Sequence, residues 1–121
     1  MQHESLIAFL SGDLSPQALA EEISNEVADF YTSLRETRSA GIIISEGQDF
    51  ILTKAGARRL LQAVADQELP IDIAVYVADC IVASDSIDFA DDQTRNAVFF
   101  VEDDSREPTH AEMLDALALL D

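Results

Sequence analysis

Residues 71–83 read IDIAVYVADCIVA, thirteen residues in which only Asp72, Tyr76 and Asp79 carry polar groups. A helix that is apolar almost all round must be covered by several neighbours. This segment therefore predicts a helix at the centre of the fold. The chain has 121 residues, 48% of them hydrophobic. A chain of that size buries roughly two-thirds of its unfolded surface, enough for one core without disulfide or metal. One domain over 1–121 is expected.

The elements around the central helix are read from apolar period and capping signals. Leu6, Ile7, Phe9 and Leu10 fit a short helix from His3 to Leu10, closed by Ser11 and Gly12. Ser15 and Pro16 form an N-cap and first-turn pair ahead of Leu19, Ile23, Val27, Phe30 and Leu34. Those steps of three and four predict a long amphipathic helix to about Leu34. Two β-prone runs, Ile42–Ile44 and Phe50–Leu52, flank the turn-forming Glu46-Gly47-Gln48-Asp49 and predict a small β-hairpin. Thr53 is placed to cap a helix with the stripe Ala57, Leu60, Leu61 and Val64, which Leu69-Pro70 would end. After SDSIDFADD, Asp91 or Asp92 caps a helix through Val98–Val101. Thr109 and Glu112 have capping-box spacing before Met113, Leu114, Leu117 and Leu120. The fold class expected is mostly α: a compact bundle of five or six helices with one short β-hairpin.

Charge narrows the function. The chain carries 24 Asp and Glu against 7 Lys and Arg, a net charge of −17. Residues 1–34 hold −6, residues 35–59 hold +2, and residues 60–121 hold −13. Such a surface repels nucleic acid and anionic membrane, and attracts basic partners at long range. Self-repulsion at this density works against compactness, so solubility or binding explains the excess better than stability. A single cysteine, Cys80, excludes an intramolecular disulfide and suits a reducing cytosol. The start MQHESLIAFLSGD lacks a basic region, and no apolar run is long enough to span a membrane. A cytoplasmic address is expected.

Catalytic and metal templates fit poorly. The chain has two histidines, His3 and His110, and neither HExxH nor a Gly-rich phosphate loop. Asp85, Asp88, Asp91 and Asp92 do not match an EF-hand loop, which needs a glycine that is absent and a bidentate Glu where Asn96 stands. Neither an enzyme, nor a metal site, nor a cofactor is expected.

Two features suggest interaction instead. The run FILTKAGARRLL is similar to the strand–Thr–helix junctions of winged-helix regulators, in which Lys54, Arg58 and Arg59 would meet phosphate. The flanking acidic stretches oppose that use. The bland alternative pairs Arg58 and Arg59 with nearby acids inside the fold. Within 71–83, Asp72, Tyr76 and Asp79 are spaced by four and three and so share one stripe. That stripe is either the helix's solvent-facing edge or a binding surface, because tyrosines are enriched at interface hot spots and carboxylates steer encounter. On the helix from Ser15, Glu22, Glu26 and Asp29 lead similarly toward Tyr31.

A small, acidic, mostly helical chain with tyrosines and carboxylates on its helices resembles the bacterial toxin-immunity proteins. That resemblance implies a non-enzymatic binder that neutralises a cognate, basic toxin domain by occluding it. The adjacent tyrosines followed by proline of the colicin-nuclease immunity proteins are absent, since Tyr31 precedes Thr32 and Tyr76 precedes Val77. No contact residue is therefore carried over from that group. The candidate partner-binding residues are Asp72, Tyr76, Asp79, Asp85, Asp88, Asp91 and Asp92, with a basic protein as partner and neither nucleic acid nor membrane. A winged-helix-like regulator and an acidic DNA-mimic or adaptor are the alternatives.

Overall fold

The structure, a computed structural model, describes residues 1–38, 41–42, 44–45, 47–103 and 106–120. Among them lie α1 (His3–Leu10), α2 (Pro16–Thr37), β1 (Phe50–Leu52), α3 (Lys54–Ala65), α4 (Ile71–Ala83), β2 (Ile87–Phe89), α5 (Asp92–Glu102) and α6 (His110–Ala118). The molecule is mostly helical, as the apolar periods predict.

Local chemistry sets most boundaries. The Ser15 hydroxyl accepts from the Ala18 N–H at 3.1 Å, with Pro16 in the first turn of α2. Thr53 caps α3 through the Gly56 N–H, and Asp91 caps α5 through the Thr94 N–H at 2.8 Å. At α6 the capping box is complete: Thr109 accepts from the Glu112 N–H and Glu112 accepts from the Thr109 N–H. Each cap contributes about 1 kcal/mol. Beyond the end of α1 the chain reverses at Gly12, whose φ of 87° lies in the left-handed region. An added Cβ there would also stand 2.8 Å from Arg59 Nε.

Two arginines of α3 hold other helix ends. Arg59 donates to the Leu10 carbonyl at 2.8 Å, and Arg58 donates to the Leu120 carbonyl at 2.8 Å. Cations suit the carbonyl-rich ends of helices. The end of α1 and the turn after α6 are thereby fastened to one helix.

The core forms around α4, which packs against α2, α3 and α5. Its Ala74, Val77, Ala78, Cys80 and Ile81 are almost wholly excluded from solvent, and Val75 is buried too. Leu6, Phe9, Leu19, Ile23, Leu60, Leu61, Val98 and Met113 join the same cluster. Each large side chain buried there contributes about 1.5–3 kcal/mol, so packing outweighs the caps.

The expected hairpin is corrected. Phe50–Leu52 is a strand, but its partner is β2, and the two run parallel with Phe50 opposite Ile87, Ile51 opposite Asp88 and Leu52 opposite Phe89. Parallel strands need a crossover, and α3 with α4 supplies it. Of the Ile42–Ile44 run and its turn, Ile43 and Glu46 lie outside the described residues. No helix among the described residues is long and apolar enough to cross a membrane.

Candidate functional site

The stripe predicted on α4 does not reach the surface as a unit, because α2 lies across it. Tyr76 is only 2% exposed. Phe30 of α2 meets its ring edge-on, with centroids 5.2 Å apart at 72°, and Tyr31 meets Phe30 the same way at 5.1 Å. A phenol buried in this way needs a partner for its hydroxyl. The Tyr76 O–H donates to Glu26 Oε2. The same oxygen accepts from the Met1 ammonium at 2.5 Å, in a part-buried contact. Glu26 is therefore a structural carboxylate between the Met1 ammonium and a buried phenol, and Tyr76 cannot be the exposed interface tyrosine that the spacing suggested.

The rest of the stripe divides. Asp72 is exposed in the first turn of α4, where its Oδ1 accepts from the Ile73 N–H at 2.9 Å. Its carbonyl accepts from the Tyr31 O–H at 3.1 Å, so Tyr31 also serves the α2–α4 contact. Asp79 is half-buried. Beneath them, burial pushes the Cys80 thiol up to about 12, with Glu26 and Asp79 adding to the rise and the Met1 ammonium opposing it.

The other four predicted acids do remain at the surface. Asp85, Asp88, Asp91 and Asp92 are all exposed, carried by the turn into β2, β2 itself and the first turn of α5. Two already have structural duties. Hydrogen bonds from Thr94 hold the Asp91 carboxyl below its ordinary range, and Asp92 pairs with Arg95 one turn on. Register sets Asp88 beside Ile51, which is 61% exposed.

Beside the Glu26–Tyr76 pair, α2 borders an open groove of about 860 Å³ lined by Glu22, Asp29, Ser33 and Phe30. A second groove, of about 540 Å³, lies between α1 and residues 47–50. Sequence reasoning did not single out that second groove. Its acids are scattered over residues 4, 13 and 49, and no period connects them.

Among the described residues, no group of three or more His, Cys, Asp or Glu side chains is placed to hold a metal ion. No protein-family model, no curated protein and no solved structure matches the chain.

Proposed function

We propose that this chain is a non-catalytic binding protein of the immunity type, acting in the cytoplasm to neutralise a cognate basic toxin by covering it. The observation that carries this reading is where the acidic excess sits. Glu21, Glu22, Asp29 and Glu36 are exposed along α2, and Asp85, Asp88, Asp91 and Asp92 are exposed across β2 and the start of α5. Charge spread this way accelerates encounter with a basic surface and suppresses encounter with nucleic acid. Of Lys54, Arg58 and Arg59, the cations a phosphate backbone would meet, the two arginines each donate a hydrogen bond within the fold, to the carbonyls of Leu120 and Leu10. That favours the binder over the regulator.

Tyr76 and Asp79 drop out of the proposed contact surface because α2 covers the first and the second is half-buried. Asp72, Asp85, Asp88, Asp91 and Asp92 stay in it as steering charges. The test is rescue in trans. If the product of the adjacent gene is toxic when expressed alone, co-expression of this chain restores growth and the two proteins co-purify. An adjacent product that is toxic yet neither binds nor is neutralised at low salt overturns the reading.

A further inference from the structure

Another groove, of about 620 Å³, lies between the turn that joins α1 to α2 and helix α3. Phe9, Leu14, Pro16, Ala55 and Ala63 supply its apolar walls, and Arg59 lines it beside them. Small-molecule sites of this size combine apolar walls with a few polar groups that fix the ligand's orientation. Arg59 is the polar group in question. Arg58 lines the groove too, but donates to the Leu120 carbonyl.

The Arg59 guanidinium is held from two sides. Its Nη1 donates to the Leu10 carbonyl at 2.8 Å. The rest of it lies over Gly12, where an added Cβ would stand 2.8 Å from Nε and 3.1 Å from Nη2. Glycine at this position leaves the room the guanidinium occupies. Arg95 and Arg106 pair with Asp92 and Glu112, whereas Arg59 forms no ion pair among the described residues. A guanidinium carries five N–H donors in a rigid fork, and the bond to Leu10 engages only Nη1. Arg59 is also exposed, so a ligand can reach it. The groove therefore presents a fixed, unneutralised cation at the edge of an apolar trough.

We infer that this groove binds an aliphatic monocarboxylate, with its carboxylate on Arg59 and its alkyl body along Phe9, Leu14 and Ala63. A planar fork of donors matches the two oxygens of a carboxylate. Holding that fork in place beforehand reduces the ordering cost of binding. The body is aliphatic because the side chains of the walls offer neither donors nor acceptors. The far end of the groove limits the ligand to one carboxylate. About two turns further along α3, roughly 10 Å along its axis, Asp66 and Glu68 line the groove and would repel a second anion. This site goes beyond the toxin-neutralising reading and does not depend on it.

Octanoate, octan-1-ol and octanedioate test the site, because they share an alkyl body and differ in charge. Amide chemical shifts of the isotope-labelled wild-type protein, followed through each titration, give the three Kd values and the place of binding. A net charge of −17 disfavours an anion over the surface as a whole. Without a local cation, octanoate must therefore bind more weakly than the neutral alcohol. The site predicts the reverse order, with the octanoate Kd about tenfold or more below that of octan-1-ol, equivalent to about 1.4 kcal/mol. Octanedioate binds more weakly than octanoate, and the shifts centre on Gly12, Leu14, Ala55 and Ala63. Octan-1-ol bound as tightly as octanoate, octanedioate bound as tightly as octanoate, shifts centred on α2, or no saturable binding overturns the inference. None of these readings needs a variant to fold. Arg59→Gln adds a second one: in a folded variant the preference for octanoate over octan-1-ol is lost, and a preference that survives overturns the role of Arg59.

Discussion

The Tyr76 hydroxyl donates to the same Glu26 oxygen that accepts from the Met1 ammonium, which ties the chain's first residue, α2 and α4 at one carboxylate. Removing only that hydroxyl tests the arrangement. Tyr76→Phe keeps the ring against Phe30 and takes one hydrogen bond from a charged acceptor. Urea unfolding is expected to show a loss of about 1.5–3 kcal/mol. Partner affinity stays unchanged, because the phenol does not reach the surface. A variant of native stability with weakened binding would restore Tyr76 to the interface.

Gly47 and His3 are a second coupled pair. A Cβ at Gly47 would stand within 2.7 Å of His3 Nε2 and nearer still to the ring carbons, and His3 is too buried to swing clear. Gly47→Ala should cost about 1–3 kcal/mol, the usual penalty for overpacking. In a His3→Ala background the same change should cost much less, giving a coupling energy above about 0.5 kcal/mol in a double-mutant cycle. Strict additivity would show that the ring and the 47–49 segment do not meet.

Cys80 gives a probe of global opening. It is buried in α4, and its thiol is pushed up to about 12 by that burial. Because thiolate is the reactive form, a thiol reagent at pH 8 should modify the native protein only as fast as it unfolds. Denaturant should accelerate labelling in step with the loss of helical signal. Labelling within seconds under native conditions would contradict a buried α4.

At the start of α6, the Arg106 guanidinium and the Thr109 backbone N–H hold the Glu112 carboxyl down to about 2, below its ordinary 4.5. A depressed folded value stabilises the native state above the ordinary value, and that stabilisation is lost as pH falls from about 4.5 through about 2. Over the same range the other carboxylates protonate and self-repulsion declines, which opposes the loss. The comparison between proteins isolates the pair. Relative to wild type, Glu112→Gln should be less stable at pH 7, and the difference should shrink as pH is lowered toward 2. A difference independent of pH would assign the effect of Glu112 to neutral hydrogen bonding alone.

The helices were legible in the sequence because each announces itself locally. Ser15, Thr53, Asp91 and Thr109 are caps that work within four residues, and Leu19, Ile23 and Val27 show the buried face of α2 by period alone. The central position of α4 was legible for a related reason, since an apolar surface on all sides has one physical remedy. The strand pairing was not legible. β2 is three residues inside an acid-rich loop, and its partner lies across two helices, so no local signal chooses it over the nearer Ile42–Ile44 run. The burial of Tyr76 was not legible either. Spacing placed it on the polar stripe with Asp72 and Asp79, but spacing does not say which neighbour covers a stripe. Phe30 and Glu26 of α2 do so, one against the ring and one at the hydroxyl.

The most direct measurement of the functional account is the salt dependence of complex formation with the proposed basic partner, sought first as the product of the adjacent gene. Titration calorimetry is run from about 50 to about 300 mM salt, a range that shortens the screening length of exposed charges. The account predicts a one-to-one complex whose affinity falls steeply as salt rises. It also predicts that Asp85→Lys/Asp88→Lys weakens the complex and flattens that dependence. A complex indifferent to salt, or no complex at the lowest salt, would contradict an acidic surface built to capture a basic partner.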